Sequence, residues 1–417
     1  MPTDWPNRYS HRSTRLKSSV IRELLKLTQR PEVISFAGGM PAPELFPLER
    51  FEQASRKVIL EEGQKSLQYA ATEGWPDLRA MIARHASRYG IPAASENVLI
   101  TTGSQQALDL IGKLMIDTGD KVIVEAPTYL GGIQAFNAYG PEYVQIPTDE
   151  HGLRIEPLEQ ALKLHPKFMY VLPNFQNPSG VTLSMERRQQ LIQLANQYGV
   201  PVVEDDPYGQ LRYDGEHLPP LFALDREYWP RPEEFRGTNV LYLSTFSKTL
   251  APGLRIGWIV GPSEVLAKLT QLKQGADLHT STLAQAVAFE VARGGFLDEH
   301  VQTLRRVYRE RRDVMLEAMA ECFPEDTTWT HPLGGLFLWA RLPEGMSSTR
   351  LLEEALKCDV AFVPGTAFFP NEPDGEPFMR LNFSNMQPEA IREGIRRLGE
   401  CIRDQIKKPL TTAPMEA

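Results

Sequence analysis

Leu241–Trp258 reads LYLSTFSKTLAPGLRIGW. With Val240 it forms an apolar run ending in Thr245 and Phe246, which predicts a buried strand, and Pro252-Gly253 breaks the chain before RIGWIVG starts another. A lysine, Lys248, follows the first strand directly, seven residues before Arg255. In open α/β sheets ligands bind outside the carboxyl ends of the strands, so this lysine stands where chemistry is expected.

Outward from that stretch the pattern repeats. NVLIT, KVIVE, EYVQIP, FMYVLP, PVVED, VLYLSTF and RIGWIVG are short β-branched runs, most of them bounded by Gly, Pro, Asn or Asp. Between them QALDLIGKLMI, RIEPLEQALKL and MERRQQLIQLANQYG place apolar residues three and four apart, the spacing of helices that cover a sheet. The alternation predicts an α/β large domain whose seven-stranded sheet is mostly parallel, with helices on both faces. PSEVLAKLTQLKQ and the stretch from about 283 to 322 read as helical, and the basic segment RRVYRERRD within it reads as a solvated face. GGLFLWARLP, DVAFVPG and FMRLNFS, interleaved with SSTRLLEEALKC and PEAIREGIRRLGECIRDQIKK, predict a smaller α+β domain. The expected division is 1–48 as an N-terminal segment with part of the small domain, 49–299 as the large domain and 300–417 as the small one.

Composition narrows the function. The 417 residues are 42% hydrophobic and 24% charged, ordinary globular values that suit two domains. A net charge of -8 argues against nucleic acid as a partner. Cys322, Cys358 and Cys401 lie far apart without paired ligand spacing, so reduced thiols and no metal are expected. The N-terminus lacks the apolar run of a signal peptide, and no segment holds the ~18 unbroken apolar residues of a spanning helix. The expectation is a cytoplasmic protein with no membrane partner.

Four pieces sit at strand ends. TTGSQQALDL puts Gly103, Ser104 and Gln105 at a strand-to-helix turn, where free N–H groups and the helix dipole suit a phosphate. FMYVLP runs into NFQNPSG, where the amide of Asn177 either serves a ligand or closes a turn. PVVEDDPYG carries Asp205, Asp206 and Tyr208 off an apolar strand, and a carboxylate there needs a cationic partner. The fourth is Lys248, with Thr245, Ser247 and Arg255 beside it. At the floor of an apolar cleft such a lysine loses its proton more easily and attacks a carbonyl, whereas on a surface it snorkels to water. A phosphate nest, hydroxyls, an arginine, an embedded carboxylate and a lysine together match an aldehyde cofactor with a phosphate and a pyridine nitrogen, namely pyridoxal 5'-phosphate.

SFSK followed by GLRIG, with NPSG and DDPY upstream, resembles the fold type I pyridoxal-phosphate aminotransferases of class I/II, and within them the bacterial 2-aminoadipate and kynurenine aminotransferase-like enzymes. SSVIREL, SFAGGMPAPELFP, LQYAATEGWPDLR, ITTGSQQALDL, QNPSG, VEDDPYG, STFSKTLAPGLRIGW, KQGADLHT and FMRLNFS occur in the order that resemblance implies. It implies Lys248 as the lysine that bonds the cofactor and moves the substrate Cα proton, and Asp205 as the partner of the pyridine nitrogen. Asn177 and Tyr208 would bond the phenolic oxygen and Tyr129 would stack on the ring. Ser104, Gln105, Thr245, Ser247 and Arg255 would gather the phosphate. Tyr69 would reach the phosphate of the other subunit, implying a homodimer with shared sites. Arg380 would clamp the substrate α-carboxylate with Asn177 and with Gly39 donating beside it, and Arg22 on an N-terminal helix would meet a distal carboxylate or simply face solvent. One departure is Thr245, where many relatives have Ser.

The implied activity moves the amino group of an L-amino acid (2-aminoadipate, glutamate, aromatic or branched-chain) to a 2-oxo acid such as 2-oxoglutarate, in a ping-pong exchange. A lyase or decarboxylase on the same scaffold is the alternative. A dehydrogenase lacks its GxGxxG, and a Ser/Lys hydrolase needs SxxK, whereas Thr245 stands three before Lys248. A transcription regulator of aminotransferase shape would need a DNA-binding domain, and only about thirty residues precede SFAGG.

Overall fold

The computed structural model describes residues 2–16, 32–229 and 238–407. In chain order its strands are Ile34–Ser35 (β1), Val98–Thr101 (β2), Lys121–Ala126 (β3), Glu142–Asp149 (β4), Gly152–Leu153 (β5), Phe168–Val171 (β6) and Val202–Asp205 (β7). Val240–Thr245 (β8), Gly257–Val260 (β9), Thr328–Trp329 (β10), Phe337–Arg341 (β11), Val360–Ala361 (β12), Val363–Pro364 (β13) and Phe378–Asn382 (β14) follow.

The large sheet runs β2-β9-β8-β7-β6-β3-β4-β5. Neighbours from β8 through β7, β6 and β3 to β4 are parallel, while β9 lies antiparallel to both β8 and β2. All seven expected strands are present. The eighth, β5, returns antiparallel on the end of β4, and its two residues are too few to show a period of two. Successive residues of the buried strands serve opposite faces. Val122, Phe168, Tyr170 and Val203 pack with Leu108 and Ile111 of the helix Ser104–Met115. Ile123, Met169, Val171 and Val202 pack on the other side with Leu191 and Ile192 of Met185–Tyr198.

The helical stretch from 283 to 322 is two helices, Thr282–Ala292 and Phe296–Cys322, because Gly294 and Gly295 take φ values of 71° and 87° between them. The longer helix serves both cores. Leu297 and Val301 join the core of the large sheet, while Leu304, Tyr308, Met315 and Met319 join that of the small domain. In the small domain β10, β11, β14 and β13 form an antiparallel sheet, and β1 pairs with β12. The backbone N–H of Phe36 donates to Ala361 and that of Asn382 to Phe36, which fastens the chain before Gly39 to this domain.

The basic segment RRVYRERRD exposes Arg306, Arg309 and Glu310 as a solvated face would, but two of its arginines depart from that expectation. Arg311 and Arg312 are buried: Arg311 donates to the Ser384 carbonyl and pairs with Glu44, and Arg312 pairs with Asp214 and donates to the Pro332 carbonyl. Two guanidinium groups cross the domain's interior because carboxylate and carbonyl acceptors await them there. Among the described residues no helix is long and apolar enough to cross a membrane. No cluster of three or more His, Cys, Asp or Glu among them is arranged to hold a metal.

Candidate active site

The pieces converge where β2, β6, β7 and β8 end and where β14 faces them. The turn after β8 carries Lys248, whose Nζ donates to the Gly39 carbonyl at 2.6 Å. Burial, with the positive charges of Arg380 and Arg255, pushes its pKa down to about 8. Near neutral pH this amine is therefore neutral far more often than an exposed lysine is. Gly39 thus engages the site through its carbonyl, and a Cβ there would meet the Phe337 ring at 3.1 Å.

Asp205 ends β7 and is buried. One carboxylate oxygen, Oδ2, accepts from the Tyr170 hydroxyl at 2.7 Å, while Oδ1 is buried with no hydrogen-bond partner among the described residues. Burial raises its pKa to about 7 against the hydrogen bond from Tyr170, with the neighbouring charge of Asp206 adding to the rise. Tyr208, three residues on, is buried edge-on to Phe337, and burial raises its pKa. Asp206 turns to structural partners: its carboxylate accepts from Asn174, Tyr242 and the Gly209 N–H.

Arg380 projects from β14 and is fully buried. Its Nη1 donates to Asn177 Oδ1 at 2.8 Å and its Nη2 to the Ala37 carbonyl at 2.5 Å, and Nε has no partner among the described residues. The Phe337 and Phe368 rings flank the guanidinium at 4.4 and 4.9 Å. Burial lowers its pKa to about 10. No carboxylate pairs with it among the described residues.

The turn after β2 forms a cradle. Gly103 caps the helix Ser104–Met115 at φ 76°, and a Cβ added to it would lie 2.5 Å from Arg255 Nη2, so only glycine lets that guanidinium approach the helix start. Arg255 itself takes the left-handed φ of 54° that turns its side chain back. The Ser104 hydroxyl is buried at this N-terminus without a partner among the described residues. Thr245 Oγ1 lies 2.7 Å from the Ile256 carbonyl and 2.9 Å from Ser247 Oγ, and it accepts the Ser247 N–H. Its single proton suits the carbonyl, so Thr245 serves mainly to place Ser247. Gln105 donates to the Gly131 carbonyl, tying the cradle to the start of the helix Leu130–Asn137. Gly131 is kept free of a Cβ, which would lie 2.5 Å from the Tyr129 ring.

Tyr69 stands apart from this assembly. It is 79% exposed and edge-on to His279, and the preceding Leu48, Ile59, Leu60 and Leu67 are exposed as well. Arg22 lies outside the described residues. Sequence reasoning missed Tyr170, since a tyrosine within a strand carries only a strand preference, and it missed the Ala37 carbonyl. It also missed Lys273, fully buried and bonded to Asp277 and Gln106, a network that Thr102 joins beside the cradle.

Pyridoxal 5'-phosphate can be tested against these residues. The bare Asp205 Oδ1 suits a cationic ring nitrogen, the bare Ser104 hydroxyl with Arg255 suits a phosphate, and the unpaired Arg380 suits a carboxylate. The residues fit the group.

Comparison with known proteins agrees with that fit. The family model "Aminotransferase class I and II" matches residues 32–398. An aromatic-amino-acid aminotransferase of Thermococcus litoralis is 45% identical over 412 residues, covering 97% of this chain and 96% of that protein. A 2-aminoadipate transaminase of Thermus thermophilus is 45% identical, with 96% of this chain and 98% of that protein covered. The crystal structure of an alpha-aminoadipate aminotransferase from Thermus thermophilus, complexed with N-(5'-phosphopyridoxyl)-L-leucine, superposes with a TM-score of 0.90 at 43% identity, covering 97% of this chain and 99% of that one.

Proposed function

We propose that this chain, which belongs to the class I and II aminotransferases and is a pyridoxal-phosphate-dependent transaminase, passes the amino group of L-2-aminoadipate, glutamate, aromatic or branched-chain amino acids to 2-oxoglutarate in a ping-pong exchange. The observation that carries the substrate reading is Arg380. Among the described residues this fully buried guanidinium bonds only to an amide oxygen and a carbonyl, with Nε bare, which suits a ligand carboxylate beside a lysine poised to lose its proton.

When bound, the cofactor supplies an electron sink for the charge left at the substrate Cα. Lys248 would hold the cofactor through Nζ and would carry the substrate Cα proton from Cα to the cofactor's aldehyde carbon. Asp205 would pair with the pyridine nitrogen through Oδ1, Asn177 and Tyr208 would bond the phenolic oxygen, and the Tyr129 ring would lie against the pyridine. Ser104, Gln105, Ser247 and Arg255 would bind the phosphate, with Thr245 behind Ser247. Arg380 orients the substrate by its carboxylate next to Gly39. The exposed Tyr69 would serve the phosphate of a second copy, and the exposed apolar residues Leu48, Ile59, Leu60 and Leu67 would be covered in a homodimer. The free cysteines suit a reducing cytoplasm.

Substrate choice is tested by mixing the holoenzyme with single amino acids in half-reactions and following the cofactor's absorption. Rapid conversion by acidic and aromatic donors, restored by 2-oxoglutarate, supports the reading. Release of carbon dioxide or an elimination product in place of a 2-oxo acid refutes it. Arg22→Ala should weaken 2-aminoadipate and glutamate far more than leucine or phenylalanine if Arg22 meets the distal carboxylate.

A further inference from the structure

Asp205 has two carboxylate oxygens in two unlike situations. Oδ2 receives the Tyr170 hydroxyl at 2.7 Å, and Oδ1 is bare and buried. Tyr170 has no exposed surface, and it is held from several sides. Its ring stands edge-on to Phe136 at 5.5 Å, and a Cβ on Gly132 would lie 2.7 Å from its Cε1, so the absence of a side chain there makes the space the ring fills. β6 and β7 pair in parallel with Tyr170 opposite Val203, which keeps the hydroxyl and the carboxylate in a fixed register.

We propose that Tyr170 is a positioning residue that keeps the shared proton on the cofactor's pyridine nitrogen by occupying one oxygen of Asp205 with a hydrogen bond and leaving only the other to face the ring. The proposal rests on the reading of Asp205 as the nitrogen's partner. A hydrogen bond donated to a carboxylate lowers its affinity for a proton. Between a ring nitrogen and a buried carboxylate the proton goes to the stronger base. Burial and the charge of Asp206 both make Asp205 more basic than usual, and the Tyr170 hydroxyl opposes them. Without it the proton passes from the nitrogen to Oδ1, leaving a neutral pair and a weaker pull on electrons at the substrate Cα. Tyr170 itself does not ionise to compete, since burial and the Asp205 charge raise its own pKa.

The test uses holoenzyme loaded with cofactor labelled with 15N in the ring. Tyr170→Phe keeps the ring and removes the hydroxyl. The 15N signal should move toward the unprotonated position, kcat should fall about tenfold, and the KM for the amino acid should stay within about twofold, because Arg380 is untouched. Gly132→Ala offers a second route, pushing the ring aside with its hydroxyl retained, and should shift the signal the same way by less. A 15N signal unmoved in both variants overturns the proposal, provided Asp205→Asn moves it. If Asp205→Asn also leaves the signal in place, the reading of Asp205 itself fails, and the proposal with it. A fall in kcat with an unmoved signal also overturns the proposal, since it marks a packing role alone.

Discussion

Arg380 and Asn177 meet across 203 positions of sequence, the guanidinium of a small-domain strand donating to the side-chain amide of a large-domain loop at 2.8 Å. The bond joins two expected ligand contacts in one unit. Arg380 also holds Ala37, and two residues farther on the Gly39 carbonyl holds Lys248. The two domains and the N-terminal segment are thus tied at the point where a substrate carboxylate would enter.

Arg380→Ala should therefore reduce kcat/KM for every amino acid by a hundredfold or more, roughly the loss of two charge-assisted bonds, with the affinity for cofactor changed far less. Arg380→Lys should recover only part, because an ammonium lacks the fork that serves Asn177 and a carboxylate together. Steady-state kinetics over several amino acids check this. A loss confined to acidic substrates would assign Arg380 to the side chain instead.

Borohydride reduction of the holoenzyme should fix the cofactor on the peptide containing Lys248, as peptide mapping by mass spectrometry will read. Lys248→Ala should retain cofactor in the cradle and lose transamination by several orders of magnitude.

The same lysine carries a stability cost in the cofactor-free protein. Its folded pKa, about 8, lies below the ordinary lysine range. Below about pH 8 the folded chain bears the whole cost of the buried charge. Above it the unfolded chain binds more protons, so stability rises with pH until the ordinary lysine pKa is passed. Lys248→Met should raise the Tm of the cofactor-free protein at pH 7, and the gain should shrink as pH climbs past 8. A gain that grows with pH would contradict the assigned shift.

Gly103→Ala tests the cradle. The added methyl meets the Arg255 guanidinium on a backbone with φ of 76°, so both strain and displacement follow. Cofactor affinity should weaken at least about tenfold, measured by equilibrium dialysis, while far-UV circular dichroism stays unchanged.

Tyr69 tests the shared site. Tyr69→Ala and Lys248→Ala homodimers should each be defective, but chains refolded as a mixture should give some dimers with both lesions in one site and none in the other. Random pairing makes about half the dimers mixed, so roughly a quarter of wild-type activity should return. No recovery in a mixture shown to contain heterodimers would place Tyr69 and Lys248 in one subunit's site.

The sequence by itself determined the seven main strands, the covering helices and the placement of Lys248, Asp205, Asn177 and Ser104 at strand ends, since apolar periodicity and turn residues act over a few neighbouring positions. Only the tertiary structure decided which groups those residues face. Tyr170 finds Asp205 across 35 positions, Lys248 finds the Gly39 carbonyl across 209 and Arg380 finds that of Ala37 across 343, and none of these pairings leaves a local pattern. The same holds for Arg311 and Arg312, which a charge count places in water and which their carboxylate and carbonyl partners draw inside. The physical reason is one throughout: strand and helix preferences are properties of adjacent residues, whereas a buried polar group is tolerated only when a partner arrives through space, and that partner is chosen by the packing of the whole chain.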